Sequence, residues 1–402
     1  MRAYERLLEY VKIWTTSDGS SGKHPSADRE FDLARILVKE LNGMGIKAEV
    51  DDKCYVYAVI PATKGYEDKT SIGFIAHVDT VEEASGKDVK PIVHENYDGK
   101  PIVLKGRTID PELFPFLKNM VGETIITADG TTLLGADNKA GVAEIMTMAE
   151  RIVNSDIPHG KICIGFTPDE EIGQGADFFD IKKFGADFAY TVDGDDAGGI
   201  EYENFNAASA SIHIEGFSVH PGAAKGVLVN ASNVAMEYDS LIPKNERPEN
   251  TEGREGFYHV SHISGETATA DISYILRDHD WDKLTEKKEM MQRAADIINK
   301  KYGEGTATVK IRDSYRNMIE MVKPHFHLIE NARKATRAVG LEPIEKPVRG
   351  GTDGARLSWD GLPCPNLGTG GFNFHGEYEL ASAERMDKVV DIIINIIKLY
   401  AE

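Results

Sequence analysis

The sequence predicts a two-domain α/β protein. A domain built on a largely parallel sheet spans residues 1–205 and 316–402, and an inserted ferredoxin-like α+β domain interrupts it at 206–315. Three observations carry this. Up to about residue 200, wholly apolar runs alternate with helical patterns, which implies strands buried on both faces and hence a parallel sheet. From residue 206 the texture changes to the order β-α-β-β-α-β, the ferredoxin-like unit. After about residue 316 the α/β texture returns and ends in a strongly apolar helical segment, VVDIIINIIKLY at 389–400.

The elements follow in chain order. The N-terminus, MRAYERLLEYVKIW, mixes charged and apolar residues at helical spacing, so it reads as neither signal peptide nor transit sequence. In DREFDLARILVKEL (28–41), Phe31, Ala34, Leu37, Val38 and Leu41 share one helical face. SIGFIAHVD (71–79) is an apolar run that turns polar only at its end. NKAGVAEIMTMAERIV (138–153) has the pattern of an amphipathic helix, and KICIGF (161–166) and FAYTVDG (188–194) read as strands. The inserted domain opens with the strand AASASIHIEG (207–216), a helix over 227–242 and the strand FYHVSHI (257–263). The strand ATADISYILRD (268–278), a polar helix over 282–303 and the strand TATVKIR (306–312) complete it.

Net charge is −20, from 46 basic and 66 acidic residues, which argues against nucleic acid or an anionic membrane as the main partner. No apolar run approaches membrane-spanning length. The three cysteines, Cys54, Cys163 and Cys364, are scattered and odd in number. They read as buried, reduced thiols of a cytoplasmic protein rather than a disulfide or a metal site.

A parallel sheet binds ligands beyond the carboxyl ends of its strands. There the sequence carries unusual polar residues: His77 and Asp79 in AHVD, Glu170 and Glu171 in PDEE, and Asp193 in VDG. Asp137 lies in LLGADNKAG and His375 in the glycine-rich GGFNFHGEYE. Singly, each has an ordinary reading as a turn former, a solvated loop or a surface histidine. Together, several carboxylates at one sheet edge would repel strongly without cations between them. Alternate residues of a strand share a face, so Asp79 can hold one nitrogen of His77 while the other binds a metal. Zinc takes imidazole nitrogen and carboxylate oxygen and, in catalytic sites, keeps a position open for water. One arrangement balances the charge: Asp137 bridges two Zn²⁺, with His77 and Asp193 on one and Glu171 and His375 on the other. A bridging hydroxide neutralises the positive charge that remains, and Glu170 is left free to move protons.

Eight segments carry a resemblance: SSGKHPS, AHVDTVEEASG, TLLGADNKAGVAEIM, FTPDEEIGQGA, YTVDGDDAGGIEYENFNAA, GFSVHPGAAKG, PVRGGTDGARLS and FNFHGEYE. With them the chain closely resembles, over essentially its whole length, the cocatalytic zinc exopeptidase family that includes carboxypeptidase G and aminoacylase. The resemblance implies a zinc-exopeptidase-like catalytic domain with an inserted lid or dimerisation-type domain, and two zinc ions per chain. It makes His77, Asp137, Glu171, Asp193 and His375 the ligands, with Asp137 bridging. Asp79 would orient His77, Glu170 would serve as general base and acid, and the Asp137–Asn138 peptide would be cis. His220 in SVHPG matches a lid histidine that polarises the scissile carbonyl, and Arg277 in YILRDHD a lid arginine that recognises a substrate carboxylate. The activity implied is release of the N-terminal residue from a tripeptide by a monomer or homodimer. The alternatives are an N-acyl amino acid amidase of the same family and a peptide-binding protein without turnover. Glu170 counts against the second, because binding alone needs no base.

Overall fold

Eight strands form the principal sheet in the computed structural model, which describes residues 1–402. Six of them come first: β1 (Lys47–Val50), β2 (Val56–Ile60), β3 (Ile72–His77), β4 (Ile162–Thr167), β5 (Phe188–Gly194) and β6 (Gly199–Glu201). Another sheet intervenes with β7 (Asn206–Glu215), β8 (Phe257–Gly265), β9 (Thr269–Asp278) and β10 (Ala307–Asp313). Then β11 (Ile344–Glu345) and β12 (Asn366–Gly368) complete the principal sheet. The chain divides into two units, Met1–Tyr202 with Glu320–Lys346 and Thr352–Glu402, and Glu203–Ile319 with Pro347–Gly351.

The principal sheet has the order β1-β2-β4-β3-β5-β12-β6-β11. Its central strands β4, β3, β5 and β12 run parallel. Antiparallel pairs join β1 to β2 and β2 to β4 at one flank, and β6 to β12 at the other, so the sheet is mixed. Every residue of β3 and β4 is buried, which is why both read as unbroken apolar runs. The shared direction of the four central strands brings their carboxyl ends to one edge.

Helices α1 (Ala3–Tyr10), α2 (Glu30–Gly43) and α3 (Ala136–Val153) precede the second unit, α4 (Ala231–Ser240) and α5 (Trp281–Tyr302) belong to it, and α6 (Asp353–Trp359) and α7 (Ala383–Ala401) follow. On α2 the buried face is Leu33, Ala34, Leu37 and Leu41 with Glu30, while Phe31 and Val38 are half-buried. The expected amphipathicity of α3 is not found. It packs on β3 and β5 and against α1 and α7, and even Lys139 and Glu144 are buried. Lys139 is accommodated because its Nζ donates to Ile13 O at 2.6 Å. A Cβ on Gly141 would stand 1.9 Å from Val192 O, so α3 approaches β5 this closely only because that residue is glycine.

In the second unit the order is β8-β9-β7-β10, antiparallel throughout, with α4 and α5 on one face. Ile212, Ile214, Tyr238, Tyr274, Leu276 and Met291 are part of its core. Helix α4 starts later than the apolar pattern suggests, because the Asn230 side chain accepts from Asn233 N at 3.3 Å and caps it there. Asp280 caps α5, accepting from Asp282 N and Lys283 N. The three cysteines are buried and unpaired. No helix is long and apolar enough to cross a membrane.

Candidate metal centre

Strand β3 ends on His77, and Asp79 follows at the sheet edge; both are buried. His77 Nδ1 lies 3.2 Å from Asp79 Oδ1, which fixes the ring so that Nε2 turns inward. That nitrogen is 3.0 Å from Asp137 Oδ1 and 3.2 Å from Asp193 Oδ1. Asp193 is the penultimate residue of β5, and Asp137 stands in the first turn of α3. The other oxygen of Asp137, Oδ2, is 3.1 Å from His375 Nε2, which in turn lies 3.3 Å from Glu171 Oε2. One carboxylate thus offers an oxygen to each of two histidines. Two sets of ligand atoms, from His77, Asp137 and Glu171 and from His77, Glu170 and Asp193, each fall within 4.8 Å of one another.

The backbone around these side chains is held from outside. Asp79 accepts from Glu170 N and Glu171 N, both at 3.1 Å. Glu379 accepts from Leu134 N at 2.8 Å, Gly135 N at 2.7 Å and Asp137 N at 2.9 Å, so the entry to α3 is fixed by a buried carboxylate. The Asp137–Asn138 peptide is cis, and His375 sits in the left-handed region at φ 66°.

Burial opposes a charge on His77, but Asp193, Asp137 and Asp79 raise its pKa well above the imidazole range. Burial likewise opposes ionisation of Asp137, yet hydrogen bonds from His375 and His77 hold it below the ordinary carboxylate value. Glu171 is pushed up to about 12 by burial and by Asp137, and Asp193 to about 6 by burial. Burial also raises Glu170 well above its usual range. Burial leads each upward carboxyl shift, and a cation among these carboxylates would favour their ionised forms. Glu171 Oε1 is buried without a hydrogen-bond partner. Imidazole nitrogens and carboxylate oxygens converging in this way fit a pair of metal ions.

The structure therefore gathers His77, Asp79, Asp137, Glu170, Glu171, Asp193 and His375 at one sheet edge. The other two sequence-derived candidates, His220 and Arg277, belong to the second unit. His220 is exposed, and its Nδ1 accepts from Gly222 N at 3.1 Å. Arg277 is half-buried, donates from Nη1 to Leu276 O at 2.9 Å and Ala208 O at 3.3 Å, and lies 5.2 Å over the Tyr315 ring. Glu379 was invisible to sequence reasoning, because a charge between Tyr378 and Leu380 looks like any loop glutamate until the amides it receives are brought to it.

A family model for peptidase family M20/M25/M40 matches residues 128–399. The chain is 52% identical over 405 residues to the Peptidase T of Alkaliphilus oremlandii, covering 99% of each chain. To the Peptidase T of Clostridium perfringens strain SM101 it is 53% identical over 404 residues, covering 100% of this chain and 99% of that one. Among solved structures, the aminopeptidase PepT of Bacillus cereus has the same fold, with a TM-score of 0.78 at 23% identity over 100% of this chain and 98% of that one. A dinuclear metal-binding peptidase of the M20 family from Bacillus subtilis superposes with a TM-score of 0.65 at 14% identity, over 99% of this chain and 97% of that one.

Proposed function

We propose, because this chain belongs to peptidase family M20/M25/M40, that it is a di-zinc aminopeptidase releasing the N-terminal residue of tripeptides. Full-length identity to proteins named Peptidase T supports a peptide substrate. The observation that carries the metal assignment is Asp137, whose two oxygens face two different histidines. On this reading His77 and Asp193 would hold one zinc and Glu171 and His375 the other, with Asp137 contributing to both. Two zinc ions, when bound, polarise the scissile carbonyl and lower the pKa of the attacking water.

Glu170 takes the water's proton and returns it to the leaving amine. It groups with His77 and Asp193, whereas Glu171 is the neighbour that approaches His375. Asp79 keeps the His77 ring in place. His220 accepts at Nδ1, which leaves Nε2 as the nitrogen to face a developing oxyanion. Arg277 supplies a planar fork for the substrate's C-terminal carboxylate. The second unit is then a lid that carries both groups, in a monomer or homodimer. The three unpaired buried cysteines agree with a reducing, cytoplasmic setting.

The test offers zinc-loaded protein di-, tri- and tetrapeptides beside N-acyl amino acids. Fastest release of the first residue from tripeptides is the expected outcome. Faster deacylation of N-acyl amino acids would overturn it.

A further inference from the structure

We propose that Glu30, which is no metal ligand, is a positioning residue for Glu170: together with Asp79 it fixes the backbone from which the base projects. This rests on the assignment of Glu170 as base. Ser26, the last residue of SSGKHPS, a segment the proposed mechanism leaves without a task, belongs to the same device.

Glu30 lies at the start of α2 and is 0% exposed. Its Oε2 accepts from Asp169 N at 3.1 Å. The next two amides, Glu170 N and Glu171 N, go to Asp79 Oδ1 and Oδ2, each at 3.1 Å. Three consecutive backbone N–H groups thus end on carboxyl oxygens of two other residues, Glu30 and Asp79. Glu30 Oε1 turns the other way, accepting from Ala27 N at 3.1 Å and Ser26 Oγ at 3.3 Å. Ser26 N closes the ring by donating to Asp169 Oδ2 at 2.8 Å and Oδ1 at 3.0 Å. The loop is itself anchored, since Asp18 N donates to Ser26 Oγ at 2.8 Å and Ser17 N to Thr80 O at 3.2 Å.

Asp169 needs such support. It sits at φ 57°, a left-handed conformation uncommon outside glycine, though aspartate adopts it more readily than most residues, and the bonds to Glu30 and Ser26 hold it there. That turn lets Glu170 and Glu171, adjacent in sequence, reach different parts of the centre. Anchoring the N-terminal loop alone would not require a buried carboxyl oxygen to accept from the amide next to the base.

The experiment measures kcat, KM, zinc content and thermal midpoint of the full zinc-loaded chain with a tripeptide. Glu30→Ala should lower kcat by ~10²-fold, the loss expected from a displacement of ~1 Å, with KM and zinc content within about twofold. Glu30→Gln keeps the length and one acceptor, so it should recover about tenfold of that loss. Ser26→Ala removes the hydroxyl, and with it the bonds to Glu30 Oε1 and from Asp18 N, but keeps Ser26 N on Asp169; it decides the matter should Glu30→Ala not fold, and kcat should fall about threefold at unchanged KM. A lowered thermal midpoint with parental kcat per zinc-loaded chain, or a loss carried by KM or by zinc, overturns the inference. An active Glu170→Gln enzyme overturns the base assignment and this inference with it. An inactive Glu170→Gln beside an unaffected Glu30→Ala overturns this inference alone.

Discussion

Glu171 Oε2 lies 3.3 Å from His375, whereas Glu170 groups with His77 and Asp193. Substitution should separate the two neighbours. Glu170→Gln should keep both metals and lose ~10²–10⁴-fold in kcat, the usual contribution of proton transfer. Glu171→Gln should chiefly weaken one metal, read as loss of one ion per chain in metal analysis. Matching phenotypes would remove the division of roles. These residues were legible in the sequence because each stands where an apolar strand should simply end. Glu30 and Glu379 were not, although each holds backbone that the site depends on. Their task is to receive amides from distant parts of the chain, and no local pattern marks a carboxylate for that.

Helix α3 shows the same limit one level up. Its polar positions suggested a solvated stripe, but Lys139 and Glu144 are both buried, because strands cover one side of it and two helices the other. The buried strands were easier to read, since β3 and β4 are apolar for lack of any solvent face. Glu144 is a consequence worth measuring. Neither of its carboxyl oxygens has a partner, and burial first, then Asp387, holds its pKa well above the ordinary value. The unfolded chain ionises this group from ~4.3 upward, while the folded chain keeps it protonated. The unfolded state therefore loses a proton that the native state retains, and stability falls by up to ~1.4 kcal/mol per pH unit above that value. Glu144→Gln cannot ionise. Its thermal midpoint should exceed the parent's by a margin that widens from about pH 5 to about pH 8. A constant margin would mean that Glu144 is already charged in the folded protein.

At the scale of the molecule, the metal ligands belong to the first unit and Arg277 to the second. If Arg277 grips the C-terminal carboxylate, one extra residue moves that carboxylate by ~3.3–3.6 Å, beyond hydrogen-bond reach. Tripeptides should then be cleaved faster than tetrapeptides, and C-terminal amidation should abolish most of the activity. Arg277→Ala should erase both preferences without changing zinc content; parent enzyme that cleaves amidated tripeptides equally fast would end this account of substrate length. The route of the chain has a separate implication. It changes unit at 202/203, 319/320, 346/347 and 351/352, so the second unit is assembled from two stretches of sequence. The short return stretch carries Arg349, whose Nη1 donates to Gly253 O at 2.9 Å and Glu255 O at 3.0 Å, and whose guanidinium lies 5.0 Å over Phe205 and 5.7 Å over Phe257. A single continuous gene segment therefore cannot transplant this unit between scaffolds. A chimaera exchanging residues 203–319 alone would inherit a clasp whose arginine is still written in the recipient's sequence.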